Sequence, residues 1–359
     1  MSTVARREAW GVDLEAALCP DCDHRFLYPA EDDAPLCPLC FRDELVPLNI
    51  EEEHLPYTQP PELALPFTIS EARFAEQVDA FTRAIPFAPA DLTPQNLRQR
   101  TQRLYLSRWL VDADVEAEFQ AEVGFDYQVV SHRERYAGDR WQTEEVQEDR
   151  VRWEPRAGRL HRHYANVPLP ALAEEAEWQR QLGAYSLDGA APYKPEELAG
   201  AMLTLPDRSP ADAWPDAVPA VRQAAQEECR QAAQAQHIRD FRWSPAYGGR
   251  NWTQLLRPVY ATYYRDDEGR PRPVFLNGQT GQISGIRRAS MVRARRVALG
   301  AGGAAALVLL VALILGLAGF FLEAALFTPA ALGLGLAFIL LVGALVPLLI
   351  VWRFNRRRA

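Results

Sequence analysis

Two stretches near the carboxy terminus constrain this chain more than any other feature. Residues 297–322 carry no charge over 26 positions, and residues 324–352 carry none over a further 29. About 20 apolar residues in helical form cross the ~30 Å hydrocarbon core of a bilayer. One span is therefore expected near 298–320 and a second near 330–352, joined by a turn from Glu323 to Pro329. Phe320, Phe321 and Phe327 would then sit where the turn meets the headgroups. Small residues (Gly300, Gly302, Gly303, Gly316, Gly319, Gly333, Gly335 and Gly343) would let the two backbones approach closely in lipid.

Charge divides the chain at the same place. Arg287, Arg288, Arg293, Arg295 and Arg296 precede the first span, Arg353, Arg356, Arg357 and Arg358 follow the second, and Glu323 is the one acid beyond residue 286. The 286 residues before that tail hold 30 basic and 46 acidic side chains. The positive-inside rule expects both basic flanks, and so both termini, in the cytoplasm, with the arginines against anionic headgroups. The opening Met-Ser-Thr-Val-Ala-Arg-Arg-Glu has no apolar run and does not read as a secretory signal. The expectation is a multi-pass protein of the inner or plasma membrane carrying a large cytosolic body.

Four of the five cysteines form Cys19-Pro-Asp-Cys22 and Cys37-Pro-Leu-Cys40, with fourteen residues between the pairs. Two C-x-x-C knuckles at that separation read as a zinc ribbon holding one structural Zn2+ on four thiolates. Each proline fixes φ, so that following N–H groups can aim at the sulfurs. Between the pairs lie a short strand, His24 to Tyr28, and an acidic loop, Glu31 to Asp33. A unit this small is expected to need its metal to fold. Four protein ligands leave the ion no open position, which excludes catalysis at it, and make His24 unnecessary as a ligand. Two disulfides are disfavoured in a cytosolic compartment, and redox chemistry would need only one pair. Cys229, alone in an Ala/Gln-rich stretch, reads as a helix-face residue.

Ribbons often grip nucleic acid, but phosphate binding needs clustered cations. Residues 1–56 offer only Arg6, Arg7, Arg25 and Arg42 against a large excess of carboxylates, so a duplex would be repelled. Lys194 is the only lysine, and it stands in Tyr193-Lys194-Pro195. No phosphate-loop lysine and no kinase-type strand lysine can exist, so no nucleotide partner is expected.

The body reads α+β. Pro-rich residues 57–66 are expected to form a stiff linker. Ser70 caps a helix running Phe74, Val78, Phe81, Ile85, stopped by Pro86, and a second helical stretch covers about 94–103. From Leu104 the period becomes two: Val115, Ala117, Phe119, Ala121, Val123 and Phe125 alternate with polar neighbours, as in an antiparallel sheet with one wet face. A hairpin is expected with Val151–Trp153 and Leu160–Val167 on either side of a Glu154–Gly158 turn. A long helix covers about 216–238, and a final β unit runs from Leu255 through the Asp266–Gly269 and Asn277–Gly281 turns to Gly285. The expected organisation is therefore a ribbon (1–56), a linker (57–66), an α+β domain (67–286), a basic juxtamembrane segment (287–296), a transmembrane hairpin (297–353) and a basic tail (354–359).

Tyr105-Leu-Ser-Arg-Trp109, Trp252-Thr-Gln-Leu-Leu-Arg-Pro-Val-Tyr260, Asn277-Gly-Gln-Thr-Gly281 and Gly285 follow one another after the cysteine pairs. That order resembles a family of bacterial zinc-ribbon membrane proteins of unassigned function, which pair a ribbon with an aromatic-rich β domain and carboxy-terminal membrane helices. The chain departs from the family in Ser107-Arg108, in Gln282, and in having Asp23 and Phe41 where each knuckle has glycine. The resemblance implies a fold and an anchor but no activity.

Catalytic signals are sparse. His161 and His163 alternate on a strand and His132 lies in the neighbouring strand region, so a metal-dependent hydrolase using a histidine face is one reading. The competing reading is a solvated face among arginines. No G-x-S-x-G, H-E-x-x-H or dinucleotide loop is present. The leading expectation is a non-enzymatic interaction or adaptor module with a protein partner. A membrane-recruited nucleic-acid-binding ribbon and the histidine-face hydrolase are the alternatives.

Overall fold

A computed structural model describes residues 10–357, apart from 12, 31–34, 49–54, 56, 138–139, 199 and 322–323. Its strands are β1 (Leu14–Leu18), β2 (Arg25–Pro29), β3 (Val46–Pro47), β4 (Leu63–Ala64), β5 (Gln102–Ala137), β6 (Arg140–Leu169), β7 (Ala191–Pro192), β8 (Ala201–Thr204), β9 (His237–Arg265), β10 (Pro271–Asn277) and β11 (Ile283–Gly285). The helices are α1 (Glu71–Arg83), α2 (Pro94–Gln99), α3 (Glu175–Leu182), α4 (Pro210–Ala232), α5 (Met291–Phe321) and α6 (Phe327–Arg356). The chain is mixed α+β. All of these strands join one sheet, in the order β11-β10-β9-β5-β8-β2-β1-β3, with β6 taking over from β8 along β5.

The sheet is organised by the length of β5. Its first half pairs antiparallel with β9 from Gln102↔Ala261 to Gly124↔His237, while β6 runs beside it from Trp109↔Leu169 to Ala137↔Arg140. On one face Val111, Ala113, Val115, Ala117, Ala121 and Val123 are buried. Helix α4 lies over that face, presenting Ala213, Ala217, Val221, Ala225 and Cys229 at every fourth position. The opposite face is wet. Asp114 pairs with His163 at 2.8 Å, Glu118 with Arg159 at 3.1 Å and Glu122 with Arg239 at 2.6 Å, all across neighbouring strands. Under α4 the aromatic rings form a continuous series, Tyr57, Trp109, Trp252, Trp214, Tyr247, Trp243, Phe241 and Phe119, with centroids 4.7–6.4 Å apart. These rings are packing, not a groove.

Three expectations need correction. The Glu154–Gly158 turn does not form: β6 is one strand from Arg140 to Leu169, and its hairpin partner is β5. Among the described residues β6 pairs on one side only, and an edge strand is where a sheet accepts proline. Gly158 makes room for the Phe119 ring, which a Cβ would meet at 3.0 Å. Residues 57–66 are docked on the sheet rather than forming a stiff linker: Leu63–Ala64 pairs with both β7 and β9, and Leu65 is fully buried. The long helix starts at Pro210, six residues ahead of expectation, because Ser209 and Asp212 close a capping box there. By contrast Ser70 caps α1 as the sequence indicates, accepting from the Arg73 N–H.

α5 and α6 are long and apolar enough to cross a membrane, at 31 and 30 residues. At 1.5 Å per residue each is about 45 Å long, more than the ~30 Å core requires. They pack on each other through alanines at heptad spacing: Ala305, Ala312 and Gly319 on α5, and Ala330, Ala337, Ala344 and Val351 on α6. A small-residue seam brings backbones close where lipid offers no hydrophobic drive. The expected glycines are mostly elsewhere. Gly333 does press on Ala312, 2.8 Å from a built Cβ, but Gly300, Gly302, Gly303, Gly335 and Gly343 face nothing within 4 Å.

The roots of the two helices are fixed to the body. Asn355, at the end of α6, accepts from the Ala289 N–H at 2.9 Å and donates to the Ala289 carbonyl at 3.0 Å. Asp267, in the β9–β10 turn, accepts from Ser290 Oγ at 2.6 Å and from the Val292 N–H at 3.0 Å, a carboxylate at a helix N-terminus. Ala294 and Val351 join Val78, Phe81, Leu97 and Tyr264 in one buried cluster. Arg287 and Arg288 precede α5, Arg293, Arg295 and Arg296 lie in its first turns, and Arg353, Arg356 and Arg357 end α6, all at the root; Arg358 lies outside the described residues.

Candidate metal centre

Each cysteine pair forms a tight knuckle. In the first, the Cys19 N–H donates to the His24 carbonyl and the Asp23 N–H to the Cys19 carbonyl; in the second, Cys37 N–H donates to Asp43 and Phe41 N–H to Cys37. The residue after the second cysteine is left-handed in both, with φ 57° at Asp23 and 54° at Phe41. These are the positions where glycine is usual. Aspartate visits that region at small cost, whereas phenylalanine gives up roughly 1–2 kcal/mol. The Phe41 ring is buried and stacks on Tyr263 at 4.7 Å, which offsets that strain. Arg42 ties the two knuckles together through Asp21 at 3.1 Å.

The four sulfurs converge. Cys19 and Cys40 lie 3.5 Å apart, Cys22 and Cys37 3.7 Å apart, and all four are within 4.8 Å of one another. Sulfurs bound to one tetrahedral zinc at about 2.3 Å would stand about 3.8 Å apart. A disulfide needs about 2.05 Å, so all four are free thiols or thiolates. Backbone N–H groups reach the sulfurs: His24 to Cys22, Leu39 and Cys40 to Cys37, and Arg42 to Cys40. Without a cation the cluster must hold protons. Donation to Cys37 and Cys40, together with burial, pushes the Cys22 thiol far up. Acceptance from Cys22 and Cys37 pulls Cys40 far down. Thiols sharing hydrogen bonds among themselves are the arrangement a cation would replace. The cluster can hold a metal ion, with all four positions taken by protein.

The knuckles are not a separate bead. β2 continues the main sheet through Phe26↔Thr204 and Leu27↔Leu203 of β8. Cys19, Phe26, Cys37 and Phe41 share one core with Leu104, Leu106, Leu172, Trp178 and Phe275. The acidic loop Glu31 to Asp33 lies outside the described residues.

The motif residues of the body build a buried polar centre beside this core. Arg257, 1% exposed, makes a bidentate pair with Glu175 at 2.7 and 2.7 Å. Ser107 accepts from Gln254 Nε2 at 3.0 Å and donates from its N–H and its Oγ to Thr204. Arg108 stands 3.7 Å from Glu175, its guanidinium pushed down by burial and by the neighbouring Arg257 charge. Asn277 is fully buried; its amide donates to the Leu182 carbonyl and its carbonyl oxygen accepts from Gln279 and Thr280, closing the expected turn. These residues position elements and bind nothing described. Glu175 gave no sequence signal, since it stands among other glutamates in a polar helical run.

The histidines do not gather. His163 pairs with Asp114 and His161 with Glu116, side by side on the wet face. His132 pairs with Glu145, which precedes His161 by 16 residues on β6, roughly 50 Å at ~3.3 Å per residue. A three-imidazole site is therefore not assembled. Cys229 stands on the sheet-facing side of α4 as a helix-face residue, its thiol pushed up by burial.

Comparison with protein-family models, with curated proteins and with solved structures returns no match. The family resemblance thus rests on two things this structure contains: a cysteine cluster able to hold a metal ion and two carboxy-terminal helices able to cross a membrane.

Proposed function

We propose that this chain is a membrane-anchored, non-enzymatic interaction module whose zinc-ribbon head and α+β body bind a protein partner on the cytoplasmic side of the membrane. One structural Zn2+ on Cys19, Cys22, Cys37 and Cys40 completes the head, and α5 and α6 form a transmembrane hairpin with both termini inside. The sulfur spacing and the N–H groups aimed at the sulfurs support a metal over disulfides, as does the cytosolic compartment proposed here. The arginines gathered at the body end of both helices support the orientation and a contact with anionic lipid.

One observation carries the partner. Beyond Gly124↔His237 the β5–β6 ribbon continues for thirteen rungs, Phe125↔Arg152 to Ala137↔Arg140, with no third strand paired to it among the described residues. That is about 40 Å of two-stranded ribbon at ~3.3 Å per residue. An isolated two-stranded hairpin is marginal in water, and each bare edge offers unpaired N–H and C=O groups to an extended segment. Tyr127 and Val130 are exposed on it. The test is affinity capture in mild detergent with the full chain and with a variant in which residues 126–151 are replaced by an Asn-Gly turn. The expected result is a reproducible protein partner lost with the ribbon; equal recovery by both chains, or no partner at all, contradicts the reading.

A further inference from the structure

A second group of metal-ligating side chains converges beside the sulfurs. His24 follows the first knuckle, Glu174 immediately precedes α3, and Asp207 lies between β8 and α4. Their ligand atoms all lie within 4.8 Å of one another, and His24 Nε2 is 3.1 Å from Glu174 Oε2. Ligands of a single ion bound at about 2.0–2.2 Å stand roughly 3.0–3.5 Å apart.

The hydrogen bonding outside this group decides what lies inside it. His24 Nδ1 is 2.9 Å from the Cys22 carbonyl oxygen, which can only accept, so this contact favours the tautomer with the hydrogen on Nδ1. Nε2 is left to face a carboxylate that also only accepts. In that tautomer a metal ion between Nε2 and the carboxylate would satisfy both acceptors. A ring whose other nitrogen donates to a backbone carbonyl is held as metal-ligating histidines are held. Asp207 is also fixed in place: its Oδ2 accepts from the Ala173 N–H at 3.1 Å and its own N–H donates to the Ala171 carbonyl. The His24 side chain is 13% exposed and that of Glu174 49%, so the ring is enclosed while one side of the group opens to water.

We propose that His24, Glu174 and Asp207 form a second divalent-cation site, separate from the four sulfurs and joined to them through the Cys22 carbonyl. One imidazole and two carboxylates suit a first-row divalent ion such as Zn2+, Co2+ or Mn2+, with water in the remaining positions. The three ligands come from three separate segments, so the ion would staple the cysteine head to α3 and to the approach to α4. The site is independent of which partner the ribbon binds.

The test is a Co2+ titration of the metal-free full chain in mild detergent, read by absorption and by metal analysis after equilibrium dialysis. Cobalt on thiolates gives strong sulfur-to-metal charge-transfer absorption, whereas a nitrogen–oxygen site adds only weak visible bands. The expected result is thiolate absorption that saturates at one equivalent while uptake continues to two per chain. His24→Gln, and separately the Glu174→Gln, Asp207→Asn double variant, should each lose the second equivalent and leave the thiolate absorption intact. Uptake ending at one equivalent with full thiolate absorption overturns the proposal and makes His24–Glu174 a plain hydrogen-bonded pair. A second equivalent that survives both sets of substitutions overturns it too. One equivalent without thiolate absorption, lost in His24→Gln, would instead break the four-sulfur reading and keep this site.

Discussion

The two halves of β5 share one strand and one alternation yet live in different surroundings. Residues 102–124 pair on both sides, and α4 covers one of their faces, leaving Val111, Ala113 and Val115 at 0% exposure. Residues 125–137 pair with β6 alone, and none of the side chains from 126 to 134 is buried. A period of two therefore specifies extended backbone and says nothing about whether a cover exists. The near half is stabilised from within the chain; the far half has no such cover among the described residues.

The largest expected effect breaks the comparison most plainly. Trp109→Ala in the near half removes a fully buried ring and should cost about 3–5 kcal/mol, whereas Val130→Ala in the far half should stay within about 0.5 kcal/mol. Denaturant unfolding in detergent measures both. Chelation, or Cys37→Ser, should loosen β2 and, through Phe26↔Thr204, the root of β5, without changing the far half. Metal analysis together with amide exchange would show it, and ion uptake should release protons because a thiol must lose its proton to bind a metal. Ala312→Leu overfills the seam opposite Gly333 and should cost about 1–3 kcal/mol in helix pairing. That loss would appear as faster proteolysis of the α5–α6 turn, with the ribbon unaffected.

The smallest effect is a pH dependence at the near-half end of β9. Arg100 beside Asp91, with the Arg265 N–H and Asn96, holds that carboxyl below the usual range despite partial burial. A depressed folded pKa stabilises above the unfolded value of about 3.9 and loses that contribution as pH falls through the folded value. Asp91→Asn should therefore lower the melting temperature at pH 7, and the difference from the unsubstituted chain should shrink below about pH 4.

Much of this was legible in the residues. The spacing of Cys19, Cys22, Cys37 and Cys40 brings four sulfurs together because a C-x-x-C turn is local geometry, and each long apolar run gives a helix because that form satisfies a segment's backbone within the segment itself. Ser70 marked its helix for the same local reason. What failed was non-local. Pro155 and Gly158 mimic a turn, but an edge strand accepts both. Nothing in Leu63–Ala64 announces that β7 and β9 flank it. The helix seam was assigned to glycines by composition, while heptad spacing of Ala305, Ala312, Ala330, Ala337 and Ala344 held the answer. The group at His24 could not be seen at all, because Glu174 and Asp207 stand 150 and more residues away.

Amide hydrogen exchange across the full chain in detergent, with and without the captured partner, tests most directly whether the far ribbon is a docking surface. Residues 102–124 should be strongly protected in the isolated chain, 125–137 should exchange early, and the partner should slow exchange in that second segment alone. Equal protection of both halves in the isolated chain, or a far half that stays unchanged when the partner is added, would contradict it.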